Sequence, residues 1–156
     1  MKDMFSLSPI HMQKLQTATE LRECNDFTLK FGLCLSEQQI QNLVEKRFEA
    51  LKDTGRIELG QGILKKLIYE FCDSPYITQE NYEDIIWELQ ETFYYFKNDS
   101  MDLISDDELI SFMKDHFDTV CQGSLEYLSG TSLEELCRNT RYGYEADDKD
   151  IYRRRF

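Results

Sequence analysis

Apolar residues recur along this chain at spacings of three and four, and each periodic stretch is bracketed by residues that start or stop helices. Ser8-Pro9 opens the first stretch, an N-cap followed by the residue best tolerated at the first helical position. A helix is predicted from there towards Cys24, with Met12, Leu15, Ala18 and Leu21 on its inner face. The segment Asn25–Leu35 is apolar but irregular, and Gly32 marks a break in it. Ser36 with Gln39 forms a capping box ahead of a second stripe, Ile40, Leu43, Val44, Phe48 and Leu51. Gly55 is placed to stop that helix.

Arg56–Leu59 alternates like a short extended piece, and Gly60-Gln-Gly62 leads into a third helix carrying Ile63, Leu64, Leu67, Ile68, Phe71 and Cys72. Pro75 ends it, because proline disfavours a helical residue before it. Thr78 is the predicted cap of the longest helix, which runs to Asn98. That helix carries two stripes: Tyr82, Ile85, Ile86, Leu89, Phe93 and Phe96 on one side, Trp87 and Tyr94 on another. A helix apolar on two sides is central in a bundle or lends one side to a partner. Ser105 and Glu108 form another capping box, before Leu109, Phe112, Met113, Phe117 and Val120, and Gly123 closes that helix. A short turn precedes a last helix from Thr131 or Ser132, with Leu133, Leu136 and Cys137 inward. The pattern predicts an all-α fold, an irregular or orthogonal bundle of six or seven helices. It forms a single helical domain over residues 1–142, followed by a loosely ordered charged tail over 143–156.

Composition fits one domain of 156 residues, and two prolines with seven glycines argue against a many-turned β-sandwich. The net charge of -12 is unevenly laid down. Residues 1–72 hold ten acids and ten bases; residues 73–142 hold sixteen acids and four bases. An acidic half repels nucleic acid and anionic membrane, so direct binding to either is not expected. No stretch reaches the ~20 apolar residues of a spanning helix. The N-terminus lacks the apolar core of a secretory signal. Five scattered cysteines suit free thiols in a reducing, cytoplasmic compartment.

Candidate chemistry is sparse. Gly60 and Gly62 precede a helix, with Arg56, Lys65 and Lys66 nearby, so an anion or small ligand has one candidate site there, with Tyr76 as a further wall. The motif lacks the third glycine and the Lys-Ser/Thr pair of nucleotide-binding loops. His116 and Cys121 are five apart, about 140° round a helix, and do not share a face. Cys72 remains another possible partner for His116. No Cys-x-x-Cys or His-x-x-x-His occurs, and the acid-rich run Asp99–Glu108 has Met101 and Leu103 where a calcium loop needs oxygen ligands. No catalytic residue, metal site or cofactor is assigned.

Several stretches together resemble a known family: Ala50–Leu64, Lys66–Ile77, Glu88–Asn98, Asp106–Leu109 and Cys121–Gly130. The chain resembles, over about residues 20–140, a family of small clostridia-type bacterial proteins that constitutes a domain of unknown function. The resemblance carries no activity or catalytic residue. It implies a bacterial cytoplasmic protein and, because such proteins are encoded beside a larger one, membership of a complex.

The expected function is therefore a non-enzymatic protein-interaction module. Trp87, Tyr94 and Tyr95 are the expected contacts, with Glu80, Glu83, Asp84, Glu88 and Glu91 steering the partner. A small-ligand or anion site near Arg56–Gly62 is the alternative. A further alternative is an acidic nucleic-acid mimic, since residues 78–108 hold ten acids and one lysine.

Overall fold

Capping chemistry sets most of the helix boundaries. In the computed structural model, which describes residues 8–58 and 62–154 and side chains as far as residue 143, α1 spans Pro9–Thr28 behind the Ser8 cap and passes into a short 3-10 turn, Leu29–Phe31. The Ser36–Gln39 capping box starts α2, Glu37–Thr54, and Gly55 (φ 65°) ends it in the left-handed conformation that glycine adopts without strain. Helix α3 is Ile63–Phe71, with Gly62 as its N-cap. Helix α4, Tyr82–Asp99, begins three residues later than a Thr78 cap predicts. Residues 78–81 instead form a turn in which the Asn81 side chain accepts from the Thr78 N–H and donates to the Tyr76 carbonyl. Ser105 caps α5, Asp106–Asp118; a single turn, α6, Leu125–Tyr127, leads through a π-helical segment, Leu128–Ser132, into α7, Leu133–Arg154. Helix α7 passes Gly143 without a break. The fold is all-α, with no strand among the described residues.

The chain divides into two compact units, Met1–Glu91 and Thr92–Phe156, with the division inside α4. In the first unit α1 packs on α2 and α3. The buried side of α1 is Thr17, Ala18, Leu21, Cys24 and Thr28, whereas Met12 and Leu15 are exposed. The predicted stripe fails because strict steps of three drift about 60° each, which carries Met12 to the opposite side from Leu21. Two side-chain amides fasten the α1–α2 connection. Asn25 pairs with both the N–H and the carbonyl of Leu35, and Gln79 does the same for Cys34.

At the centre of this unit is a charge. Arg47 lies on the inner stripe of α2 between Val44 and Leu51 and is only 2 % exposed. Its Nε and Nη2 both reach Glu58 Oε1 at 2.9 Å, and its Nη1 donates to Thr17 Oγ1 at 3.2 Å. The pair lies against the bare α-carbon of Gly62. A Cβ there would overlap Glu58 Oε1 and stand 2.8 Å from Arg47 Nε.

The second unit is also organised around cations, one buried and one half-buried. Lys97 is buried, and its Nζ donates to the Ile104 carbonyl at 2.6 Å while pairing with Asp106 at 2.9 Å and Asp102 at 3.8 Å. Arg141 of α7 reaches both the carbonyl and the carboxylate of Asp99. Three acids of the run that invites a metal ion are thus turned onto the protein's own cations. Around them, Leu109, Met113, Phe117, Leu128, Leu133 and Cys137 form the core. Val120, predicted on the α5 stripe, falls beyond the helix end and is exposed.

Two substitutions test this packing. Gly62→Ala is expected to lower stability by about 1–3 kcal/mol in urea unfolding, because the new methyl must displace the Arg47–Glu58 pair. Combining it with Glu58→Ala should cost clearly less than the sum of the two; strict additivity would show that the pair is not what the methyl meets. Gln90 is fully buried and neither of its amide atoms has a hydrogen-bond partner. Gln90→Met, close in shape, is expected to raise stability by about 1 kcal/mol, and a lower melting temperature would contradict this.

Candidate functional site

Helices α2 and α4 together line a concave patch on the first unit. Asn42, Leu43, Glu45 and Lys46 come from α2, and Glu83, Asp84 and Trp87 from α4, around a cavity of about 350 Å³. The α4 residues belong to one helical turn, which brings the two acids and the indole together. Trp87 is half-buried, and the Lys46 ammonium rests 4.4 Å from the centre of its ring. Asn42 donates to Glu83 at 3.0 Å. The Trp87 N–H is sealed from solvent without a well-formed hydrogen bond, and the Glu91 carboxylate is the group that interacts with it. Burial pushes the Glu91 carboxyl above its ordinary value, against the lowering pull of Lys46.

The other predicted contact residues are dispersed. Glu80 and Glu88 are exposed on the same stretch of chain. Tyr94 is only 1 % exposed, so it is a core residue and offers no surface to a partner. Its neighbour Tyr95 is exposed and packs edge-on against Phe96 in the second unit.

The ligand-site candidates do not assemble. Gly60 lies outside the described residues. Gly62 is covered by the Arg47–Glu58 pair, so an internal carboxylate stands at the start of α3, where an external anion was expected. Tyr76 is part of the 76–81 turn. Arg56, by contrast, borders a larger groove of about 590 Å³ beside the α1 N-terminus and the α2 C-terminus. Ile10, Phe48, Leu51 and Ile57 give it an apolar lining, and Ile57 is 87 % exposed. Sequence periodicity could not find this groove, because it depends on the segment after Gly55 folding back beside α2.

In the second unit, His116 and Cys121 are brought to the same serine. The 140° separation assumes a continuous helix, but α5 ends at Asp118 and the chain turns back through Gln122, whose φ is 48°. Ser132, at the end of the π-helical segment, joins them: its Oγ lies 3.2 Å from His116 Nδ1 and 3.6 Å from Cys121 Sγ. The His116 ring is fixed by stacking on Phe112 at 4.0 Å. Serine within reach of a histidine is the geometry of an activated nucleophile. Here, however, Ser132 is 6 % exposed and closed to any substrate of size. The arrangement works as a clasp between the end of α5 and the π-helical turn.

All five cysteines are free, and burial pushes Cys24 and Cys137 up to about 11, which keeps both as inert thiols. Among the described residues no group of three or more His, Cys, Asp or Glu side chains could hold a metal ion, and no helix is long and apolar enough to cross a membrane.

A family described as a family of unknown function, DUF6323, matches residues 20–146. No curated protein and no solved structure matches this chain.

The raised Glu91 carboxyl has a pH consequence. Just above its ordinary value of 4.5 the folded chain keeps a proton that the unfolded chain releases, so Glu91 lowers stability as pH rises through that window. Glu91→Gln is expected to flatten this part of the stability–pH curve in urea titrations; an unchanged slope would assign it to other groups.

Proposed function

We propose that this chain, which belongs to the DUF6323 family of unknown function, is a non-enzymatic interaction module that takes a basic segment of a partner protein on its α2–α4 face. The observation that carries the reading is the convergence of Trp87, Glu83 and Asp84 with α2 around one cavity. Tryptophan in a partly desolvated pocket is the residue type that most often dominates binding energy. The surrounding carboxylates, extended by Glu80 and Glu88, would steer a cationic partner and fix its register. Lys46 already covers the indole, which makes the face self-compatible when unoccupied; an incoming arginine would compete with it for the ring. The free state of all five cysteines supports a reducing, cytoplasmic setting, and a bacterial source belongs to the same reading.

The single tryptophan makes the face its own reporter. Titration with an arginine-rich peptide is expected to shift Trp87 emission saturably, with affinity falling steeply as salt rises. The double variant Glu83→Lys/Asp84→Lys should weaken binding at least about tenfold. An acidic peptide acting equally well, or indifference to the double variant, would remove the face from consideration.

A further inference from the structure

We propose that Lys46 is a built-in competitor at the α2–α4 face: its ammonium occupies the seat on the Trp87 ring that an arginine of the partner takes, and the partner binds by displacing it. The inference rests on the reading of that face as a site for a basic segment, and adds how the site is held shut and which cation it is shaped for. The Lys46 ammonium stands 4.4 Å from the centre of the indole, within the range of a cation–π contact. Beyond the ring it has the pull of the Glu91 carboxylate and one ion pair among the described residues, with Glu49 at 3.9 Å along its own helix. Both side chains of that pair are substantially exposed, so it adds little. Lys14 of the same unit, by contrast, is held by both oxygens of Glu45 at 3.1 Å. A half-exposed ammonium on a half-buried ring, with one long ion pair, is readily exchanged for a cation that fits better.

The seat is only half filled by its own lysine. Glu83 and Asp84 border the same cavity as the indole, yet neither forms an ion pair among the described residues. Asn42 gives Glu83 one hydrogen bond, to Oε2. An ammonium is a point charge at the end of a flexible stem, and from the face of the ring Lys46 does not also pair with these acids. A guanidinium is planar: it stacks flat on an indole and directs N–H donors outward along its edge, so it can hold ring and carboxylate together. The carboxylates that Lys46 leaves unpaired therefore select arginine over lysine in the partner. While Lys46 holds the ring, the apparent affinity for that arginine is reduced by the fraction of chains in which the ring is free.

Titration of the full chain with an arginine-rich peptide, read by Trp87 emission at about 0.15 M salt so that distant charges are screened, tests this. Lys46→Met keeps the aliphatic stem and loses the ammonium, and is expected to bind the peptide at least about threefold more tightly than wild type. Lys46→Arg keeps the charge and supplies a better internal occupant, so it should bind more weakly than wild type. Lys52→Gln removes the same charge from α2 on the side of the other groove and should change affinity by less than about twofold. A lysine-rich peptide of equal length should bind Lys46→Met at least about threefold more weakly than the arginine-rich one, and equal binding would overturn the selection of arginine. The Lys46 side chain is 42 % exposed, so its substitution leaves the core intact. Unchanged or weaker binding by Lys46→Met, the same tightening in Lys52→Gln, or equal affinity of Lys46→Met and Lys46→Arg would remove the competitor role while leaving the face a site. Binding by neither wild type nor Lys46→Met would remove the face and the competitor together, whereas binding by Lys46→Met alone would uphold both.

Discussion

A guanidinium inside an apolar core must be answered by the chain around it, and in the first unit the answer decides the local geometry. Arg47 brings a planar positive charge with five N–H donors and no acceptor. Its position on the inner stripe of α2 therefore forces a carboxylate to come to it. That carboxylate is Glu58, and bringing it in folds the segment after Gly55 back against α2. Thr17 supplies a further acceptor from α1 and is buried for that reason. Gly62 then has to lack a side chain, because the pair occupies the space where one would point. Four separate parts of the chain are tied to one ion pair. The same fold-back leaves Ile57 projecting beside Ile10, so the apolar groove is a by-product of satisfying a buried charge.

The acidic half of the chain shows why net charge is a poor guide to surface charge. Asp99, Asp102 and Asp106 read as part of a solvated acidic stretch, yet each faces Lys97 or Arg141. Buried Lys97 plays the part that a bound cation plays in a calcium loop, collecting a carbonyl and two carboxylates. The acids at the start of α4, near the positive end of its helix dipole, and Glu88 one turn on form a separate group that faces none of these cations. The unbalanced charge available for recognition is therefore more local than the count over residues 78–108 suggests.

Features that depend on a few neighbouring residues were legible in the sequence. The Ser8, Ser36 and Ser105 caps and the Gly55 stop all lie where the sequence puts them, since a cap is decided within one turn. The stripe of α2 was legible in its apolar members, but Arg47 was invisible because periodicity treats charge as surface. Tyr94 reads as a second apolar face, yet it is core. Stripe counting cannot tell a helix covered on two sides from one that lends a side to a partner. The His116–Ser132–Cys121 clasp had no local signal at all. It requires a helix end, a left-handed residue at Gln122 and a π-helical turn, none of which has a reliable short motif.

What remains unresolved by packing is concentrated on α4. The Tyr82 hydroxyl, the Trp87 N–H and both amide atoms of Gln90 are all shut away from solvent without a well-formed hydrogen bond, with Thr28 interacting with the first and Glu91 with the second. Each costs stability that the surrounding core must offset. Natural chains keep such local inconsistencies where function or an accommodated water demands them. Gln90 lies one turn from Trp87 on the same helix, so a movement of the indole on binding a partner would also change the surroundings of Gln90. The residue most suited to make a contact and the residues least satisfied in the core are therefore neighbours on one helix. A change at the α2–α4 face reaches the packing of α4 through nothing longer than a single helical turn.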